Sequence, residues 1–436
     1  MTFIARMRHL PAVFLVLFMA CLPFAPCEAA PSTPTLDGNA WNFIFVQSFE
    51  GDLGPNNNLS IEGFNHAHLF GQLLNTLTAG KSGAIRQAYV FDPSDGLASD
   101  MRASESIEPF AVLNNLGIIH VLVNSGDASV YNSPAYILNQ ILANQPGGIY
   151  VIAMPAAVIN NTLQSLGGPS NPAPSLAPGD SHQYAVWSVE QGKSSIAVYE
   201  DGLKPEKRYP ELHVRGGAQC PQNPVTIHVK NPHVGEFKLN AGLTIHFIRH
   251  VEAHPTGSFE DGNYVCQGEW RAIGATEILR KKIGGLPDTI YTTNPNDIIG
   301  CSTQCSYVRP SLTIAPFAIE HGRKLELASY QWNDAPSLAA ALFTQNSPYS
   351  KKEFDHSTIL VAWEHVHIEQ AIKYLFGAIY GDVKAANQVP AWSYTDYDSI
   401  WTVKSDERGD LTFTNSCEGI ASETLPSTCP AFLGEK

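Results

Sequence analysis

Two eleven-residue stretches lie about half a chain apart. Met101–Ala111 reads MRASESIEPFA and Val308–Ala318 reads VRPSLTIAPFA; they agree at six positions, Arg, Ser, Ile, Pro, Phe and Ala. At ordinary residue frequencies fewer than about one match is expected. Their surroundings run in parallel too. FIFVQSFEG (Phe43–Gly51) matches IHFIRHVEA (Ile245–Ala253), and NLSIEGFNHAHLFGQLL (Asn58–Leu74) matches VCQGEWRAIGATEILRK (Val265–Lys281). GIYVIAMPAAVIN (Gly148–Asn160) matches TILVAWEHVHIEQ (Thr358–Gln370). Tyr184–Gly202 matches Asp398–Ser416 as a β-hairpin turning at Gln191-Gly192 and Arg408-Gly409. The offset drifts from 202 at the first strand to 207 at the arginine and 210 at the Gly148–Asn160 stretch, as small loop insertions produce. The expectation is two tandem copies of one fold, over 36–235 and 236–436. Apolar β-branched runs alternating with helical patterns make each copy a three-layer α/β domain. Each would have a mostly parallel sheet flanked by helices, with the hairpin added.

The copies differ where chemistry would sit. Leu243–Ile248 is apolar on both faces, the pattern of a strand buried in a parallel sheet, and it stops at Arg249-His250. Ligands of open α/β sheets sit beyond the carboxyl ends of such strands. There an imidazole offers a nucleophilic nitrogen and a guanidinium a two-pronged anion clamp. A second strand, Ile359–Trp363, runs into Glu364-His365, and Arg309 opens a helix between them. Two His and two Arg are predicted to converge on one small anion. In the first copy Gln47-Ser48 stands opposite Arg249-His250, and Met154-Pro155 opposite Glu364-His365; Arg102 persists opposite Arg309. That copy lacks both imidazoles and is expected to be inactive, a structural or partner-binding half.

Taken together, the strand ending in Arg249-His250, Gln267–Ala272 opening a helix, Arg309 in an R-x-x-x-T-A-like setting and His365 after a late strand resemble the histidine phosphatase superfamily, across Leu243–Leu375. Val251 stands where that family has Gly after its catalytic His, and Val366 where the phytase and acid phosphatase branch has Asp. The resemblance is therefore to the phosphoglycerate mutase-like branch. It implies phosphate monoester hydrolysis, with His250 carrying the phosphoryl group and Arg249, Arg309 and His365 binding its oxygens. Gly268 and Arg271 would help close the pocket's rim. No cofactor is called for. The substrate would be a small phosphate ester or a phosphorylated macromolecule. The proton donor stays open among Glu364, Glu252 and Glu326, with Asp334 also in reach of the argument. Two rivals stand beside this. A metal hydrolase could use His246, His250, His254, His365 and His367, but on a strand residues four apart lie about 13 Å apart, too far for one ion to join His246 and His250. A non-catalytic secreted protein binding a phosphate ligand or a partner is the other.

Residues 1–30 read as a signal peptide: Arg6 and Arg8, an apolar Ala12–Ala20, then Cys27-Glu28-Ala29 as a cleavage site. Phe18–Cys21 loosely resembles a lipobox, so an anchor at Cys21 is an alternative to a free secreted or periplasmic protein. Taking Arg6, Arg8 and Glu28 from 27 basic and 41 acidic residues leaves 25 and 40, an acidic balance that disfavours nucleic acid. No later run is long and apolar enough to cross a membrane. Six cysteines remain, and an even count in an exported chain suggests disulfides. Proximity favours Cys301–Cys305 and Cys417–Cys429, leaving Cys220–Cys266.

Overall fold

The computed structural model describes residues 33–51, 57–81, 84–92, 100–124, 131–168, 172–217, 220, 224–231, 238–253, 261–301, 305–350 and 354–434. The leader 1–30 with Cys21, and His254, lie outside them.

The first half runs β1 (Trp41–Gln47), α1 (Ile61–Leu77), β2 (Ile85–Asp92), α2 (Arg102–Leu113), β3 (Ile118–Leu122), α3 (Pro134–Asn144), β4 (Gly148–Met154), α4 (Ala156–Gly167), β5 (Gln183–Glu190) and β6 (Lys193–Glu200). After β7 (Thr226–Val229) come β8 (Thr244–Arg249), α5 (Cys266–Gly274), α6 (Thr276–Lys282), β9 (Thr289–Thr292), the short β10 (Ile298–Ile299) and β11 (Cys305–Ser306), and α7 (Arg309–Glu320). The chain ends with β12 (Leu325–Leu327), α8 (Ala335–Phe343), β13 (Thr358–Trp363), α9 (His365–Tyr374), α10 (Val383–Ala386), β14 (Ser399–Ser405) and β15 (Leu411–Cys417).

The protein is α/β, with two mostly parallel sheets flanked by helices and a hairpin added to each. The first sheet has the order β3-β2-β4-β1-β5-β6 and the second β12-β9-β13-β8-β14-β15-β7. Position by position the two orders correspond, with β7 as an extra edge strand. In each, the first four strands of the order are parallel and the hairpin joins antiparallel. The hairpin turns carry positive φ at Gln191, Gly192 and Gly409, which the right-handed strand twist favours. α2 and α7 both start at the expected arginine, and both carry proline at the eighth helical position.

Each sheet has two apolar faces. One face of the first packs against α3 and α4, and one face of the second against α8, α9 and α10. The inner faces, with α1 and α2 on one and α5, α6 and α7 on the other, merge into a single core from Ile44 and Val151 to Ile248 and Leu360. Burying an aliphatic side chain of this kind contributes about 1.5–3 kcal/mol, so the shared layer belongs to both halves at once.

Beneath each first strand lies a matching buried ionic knot. His66 lies between Glu50, at 3.0 Å, and Asp201, at 2.8 Å. Arg271 lies between Glu252, at 2.7 Å, and Glu418, at 2.8 Å. Above each knot a helix passes so close that only glycine fits: a Cβ on Gly63 would sit 2.0 Å from the Glu50 carbonyl oxygen, and one on Gly268 2.5 Å from that of Glu252. Gly63 thus corresponds to Gly268, two residues away from the alignment read in sequence. Arg271 is part of this knot, a structural role.

Among the described residues three disulfides form: Cys301–Cys305, Cys220–Cys417 and Cys266–Cys429. Proximity misassigned the last two. Cys417 ends β15 against the segment of Cys220, and the tail beyond it lies along α5, where Trp270 donates to the Thr428 carbonyl at 2.8 Å. That brings Cys429 to Cys266. No helix among the described residues is long and apolar enough to cross a membrane.

Candidate active site

β8 and β13 are parallel neighbours, with Arg249 paired to Trp363 at their carboxyl ends. The ladder runs one step further: the His250 amide donates to the Trp363 carbonyl at 3.0 Å. The chain then leaves the sheet, and His250 and His365 stand at adjacent strand ends. Arg309, the first residue of α7, adds its charge to the same spot. Arg249, His250, Arg309 and His365 are all buried. The charges of Arg249 and Arg309 both reach His250, and His365 follows the neighbouring strand.

His250 has a defined tautomer. Its Nδ1 lies 2.8 Å from the Val251 carbonyl oxygen, which only accepts, so Nδ1 carries the proton and Nε2 keeps a lone pair. Burial, and then the charges of Arg249 and Arg309, push the imidazole's pKa well below its usual range. The residue is a neutral ring at neutral pH. The Val251 amide donates to Thr313 Oγ1 at 3.0 Å, fixing the turn that aims the ring.

His365 does not end a strand. β13 stops at Trp363, Glu364 is the N-cap of α9, and His365 is the first helical residue. At this turn His365 Nδ1 lies 2.6 Å from Glu364 Oε1, close enough for charge attraction but off the line of a hydrogen bond. The other Glu364 oxygen accepts from the His367 amide at 3.0 Å and from its Nδ1 at 2.6 Å. Burial would push the Glu364 carboxyl up, but the contacts with His365 and His367 more than reverse it and hold it well below the usual carboxylate range.

That corrects the proton-donor candidates. Glu364 is ionised and holds two imidazoles, so it has no proton to give. Glu252 spends its oxygens on Arg271 and on Ser422, whose hydroxyl donates at 2.6 Å. Glu326 lies on the edge strand β12, three strands from β8 and about 14 Å across the sheet, and pairs with Lys324 at 3.3 Å. Asp334 caps α8 through Ser337. Among the metal candidates, His246 pairs with the Thr402 hydroxyl at 3.0 Å across the strands, and His367 is taken by Glu364.

Sequence reasoning missed the loop over the site. Tyr394 and Asp396 receive Arg249 Nη1 on their carbonyl oxygens, and the guanidinium lies 4.0 Å from the ring centre of Tyr397. The ring of Tyr394 stands 5.8 Å from that of His365, and Tyr307 meets His250 edge-on at 6.3 Å. Asp261 and Asn263 were missed too: Arg309 donates to the Asn263 carbonyl through Nε and to Asp261 through Nη2, the latter at 3.1 Å. The aromatic spacing of Tyr394 and Tyr397 in a Pro-flanked loop was the available signal.

In the first half, Ser48 follows β1 where His250 follows β8, and Gln47 donates to the Asp180 and Gln183 carbonyls at 2.7 Å. Since Met154 pairs with Gln47 as Trp363 pairs with Arg249, Ala156 rather than Pro155 occupies the place of His365. Arg102 turns to Asp100, with Nε donating at 2.8 Å.

No family model matches the chain, and no curated protein matches it in sequence. Solved structures that resemble it include a putative phosphohistidine phosphatase from Agrobacterium tumefaciens, at 13% identity and TM-score 0.24, covering 37% of this chain and 91% of that one. A phosphoserine phosphatase from Entamoeba histolytica covers 39% and 94% at 11% identity and TM-score 0.23. A mycobacterial glucosyl-3-phosphoglycerate phosphatase covers 37% and 89% at 14% identity and TM-score 0.25. These neighbours in structure are phosphatases, each similar to well under half of the chain.

Proposed function

We propose that the chain is an exported phosphatase that hydrolyses phosphate monoesters through a phosphohistidine on His250. It would be built of two copies of one fold, 36–235 and 236–436, with the first inactive. The observation that carries this is the His250 tautomer: Nδ1–H is spent on a carbonyl, and Nε2 is left as a lone pair in a buried cluster with two guanidiniums. Nε2 attacks phosphorus, an N–P bond forms and the ester P–O bond breaks, its oxygen leaving with a proton. Water then attacks phosphorus, the N–P bond breaks and inorganic phosphate departs. Arg249, Arg309 and His365 would stabilise the charge that spreads over the three equatorial oxygens. The proton comes from a group other than Glu364, Glu252 and Glu326. The substrate is a small phosphate ester or a phosphorylated macromolecule.

Export rests on the leader and is supported by the disulfides, which persist in oxidising compartments. One observation favours a second reading, a phosphate-ligand or partner-binding protein without turnover. The Tyr394 and Asp396 carbonyls and the Tyr397 ring already occupy Arg249, so an anion must displace them.

The test is brief mixing with a labelled phosphate ester, a quench, and peptide mapping. Acid-labile, base-stable label on the His250 peptide is expected, and loss of both label and turnover in His250→Ala. Arg309→Ala should retain activity lowered about 10²–10³-fold, since it removes charge stabilisation and leaves the attacking atom. Full turnover by His250→Ala, or label on a serine, sinks the mechanism. Binding without any turnover of wild-type protein establishes the second reading.

A further inference from the structure

His68 on α1, Glu108 on α2 and Glu269 on α5 meet where the two halves touch, and all three side chains are nine-tenths buried or more. One ligand atom from each lies within 4.8 Å of the others. Three polar atoms here have no hydrogen-bond partner among the described residues: His68 Nε2, Glu108 Oε1 and Glu269 Oε2. The walls are aromatic. His68 stacks on Phe432 of the C-terminal tail, ring centres 4.0 Å apart, and meets Phe64 edge-on at 4.6 Å.

We propose that His68, Glu108 and Glu269 bind a divalent transition-metal ion, zinc by the chemistry of the donors, which clamps the first half to the second. One imidazole and two carboxylates form the nitrogen–oxygen set that zinc takes. A tetrahedral ion with bonds of about 2.0–2.1 Å sets its ligand atoms about 3.4 Å apart. His68 Nδ1 and Glu269 Oε1 already stand 3.2 Å apart. The neutral imidazole and two carboxylates balance two positive charges, so the filled site is electrically neutral in apolar surroundings. The orphaned carboxylate oxygens supply further coordination. Tyr264 hydrogen-bonds Glu108, the kind of outer contact that orients a metal ligand.

Without a cation the cluster has no counter-charge.

The experiment separates a metal clamp from a cluster of protonated acids. Full-length protein, stripped with a chelator and then given Zn²⁺ alone, is desalted and its metal counted. About one zinc per chain is expected, with the thermal midpoint rising by roughly 5 °C on reloading. Co²⁺ in its place should give the visible bands of a four-coordinate nitrogen–oxygen site. Glu108→Gln copies a protonated carboxyl in shape. It should lower bound zinc at least tenfold and abolish the zinc-dependent rise in midpoint. Zinc far below one per chain with an unmoved midpoint in wild-type protein overturns the proposal, as does a Glu108→Gln variant that still binds one zinc and gains the same midpoint. Should that variant not fold, the stoichiometry and the Co²⁺ spectrum of wild-type protein decide.

Discussion

Glu364 shows how a residue's role can invert between sequence and structure. Beside a histidine at a strand end it reads as an acid. In the fold it is an ionised N-cap that holds His365 and His367 in place. Glu364→Gln should therefore leave the fold intact while lowering kcat about tenfold or more, because the carboxylate that orients His365 is gone; an unchanged kcat would remove it from the site. His66 yields a pH prediction. Burial pushes its imidazole down, but Asp201 and Glu50 outweigh that and raise it to about 9. Its folded pKa is above its unfolded one, so its stabilisation is complete below about pH 6.5 and is lost as pH climbs through about 9. Denaturation across that window should show wild-type protein losing on the order of 3 kcal/mol that His66→Gln does not lose. Parallel curves would refute the pairing. The role of His66 was not legible in the sequence because its partner comes from a distant segment, Asp201 lying 135 residues away; that of Glu364 turns on the helix that starts directly after it.

At the scale of elements the sequence was informative. β1, β8 and β13, both hairpins and the arginine starts of α2 and α7 follow from apolar runs and turn residues, which act locally. The errors fall at joins. A helix that starts directly after Glu364 sets His365 in α9, which the apolar run ending at Trp363 did not reveal, and a two-residue change realigns Gly63 with Gly268. Periodicity does not resolve such steps; the carbonyl beneath each glycine does. Gly268→Ala should force apart the passage between β8 and α5, costing about 1–3 kcal/mol, and it should lower activity at the same time because that passage carries His250. A variant as stable as wild type in urea would show the contact to be loose. The loop bearing Tyr394 and Tyr397 had no partner visible in sequence, since its function is to cover an arginine 145 residues away.

For the whole molecule, the tandem pattern pointed to two sheets of one strand order, while the merging of their inner helical layers was invisible: apolar patterning says that a face is buried, and nothing about what buries it. The cysteines err for the same reason. Non-reducing peptide maps should link Cys220 to Cys417 and Cys266 to Cys429; a Cys417–Cys429 peptide would contradict the path of the tail. That tail also reaches the first half, where Phe432 stacks on His68. A chain emerging from the ribosome thus presents the first sheet, α1 and α2 complete but uncovered, and they stay uncovered until α5, α6 and α7 have been made. The apolar face of the early half must wait, shielded by something else, until those helices exist, so this protein's exposure to misassembly is set by the distance along the chain between its two halves.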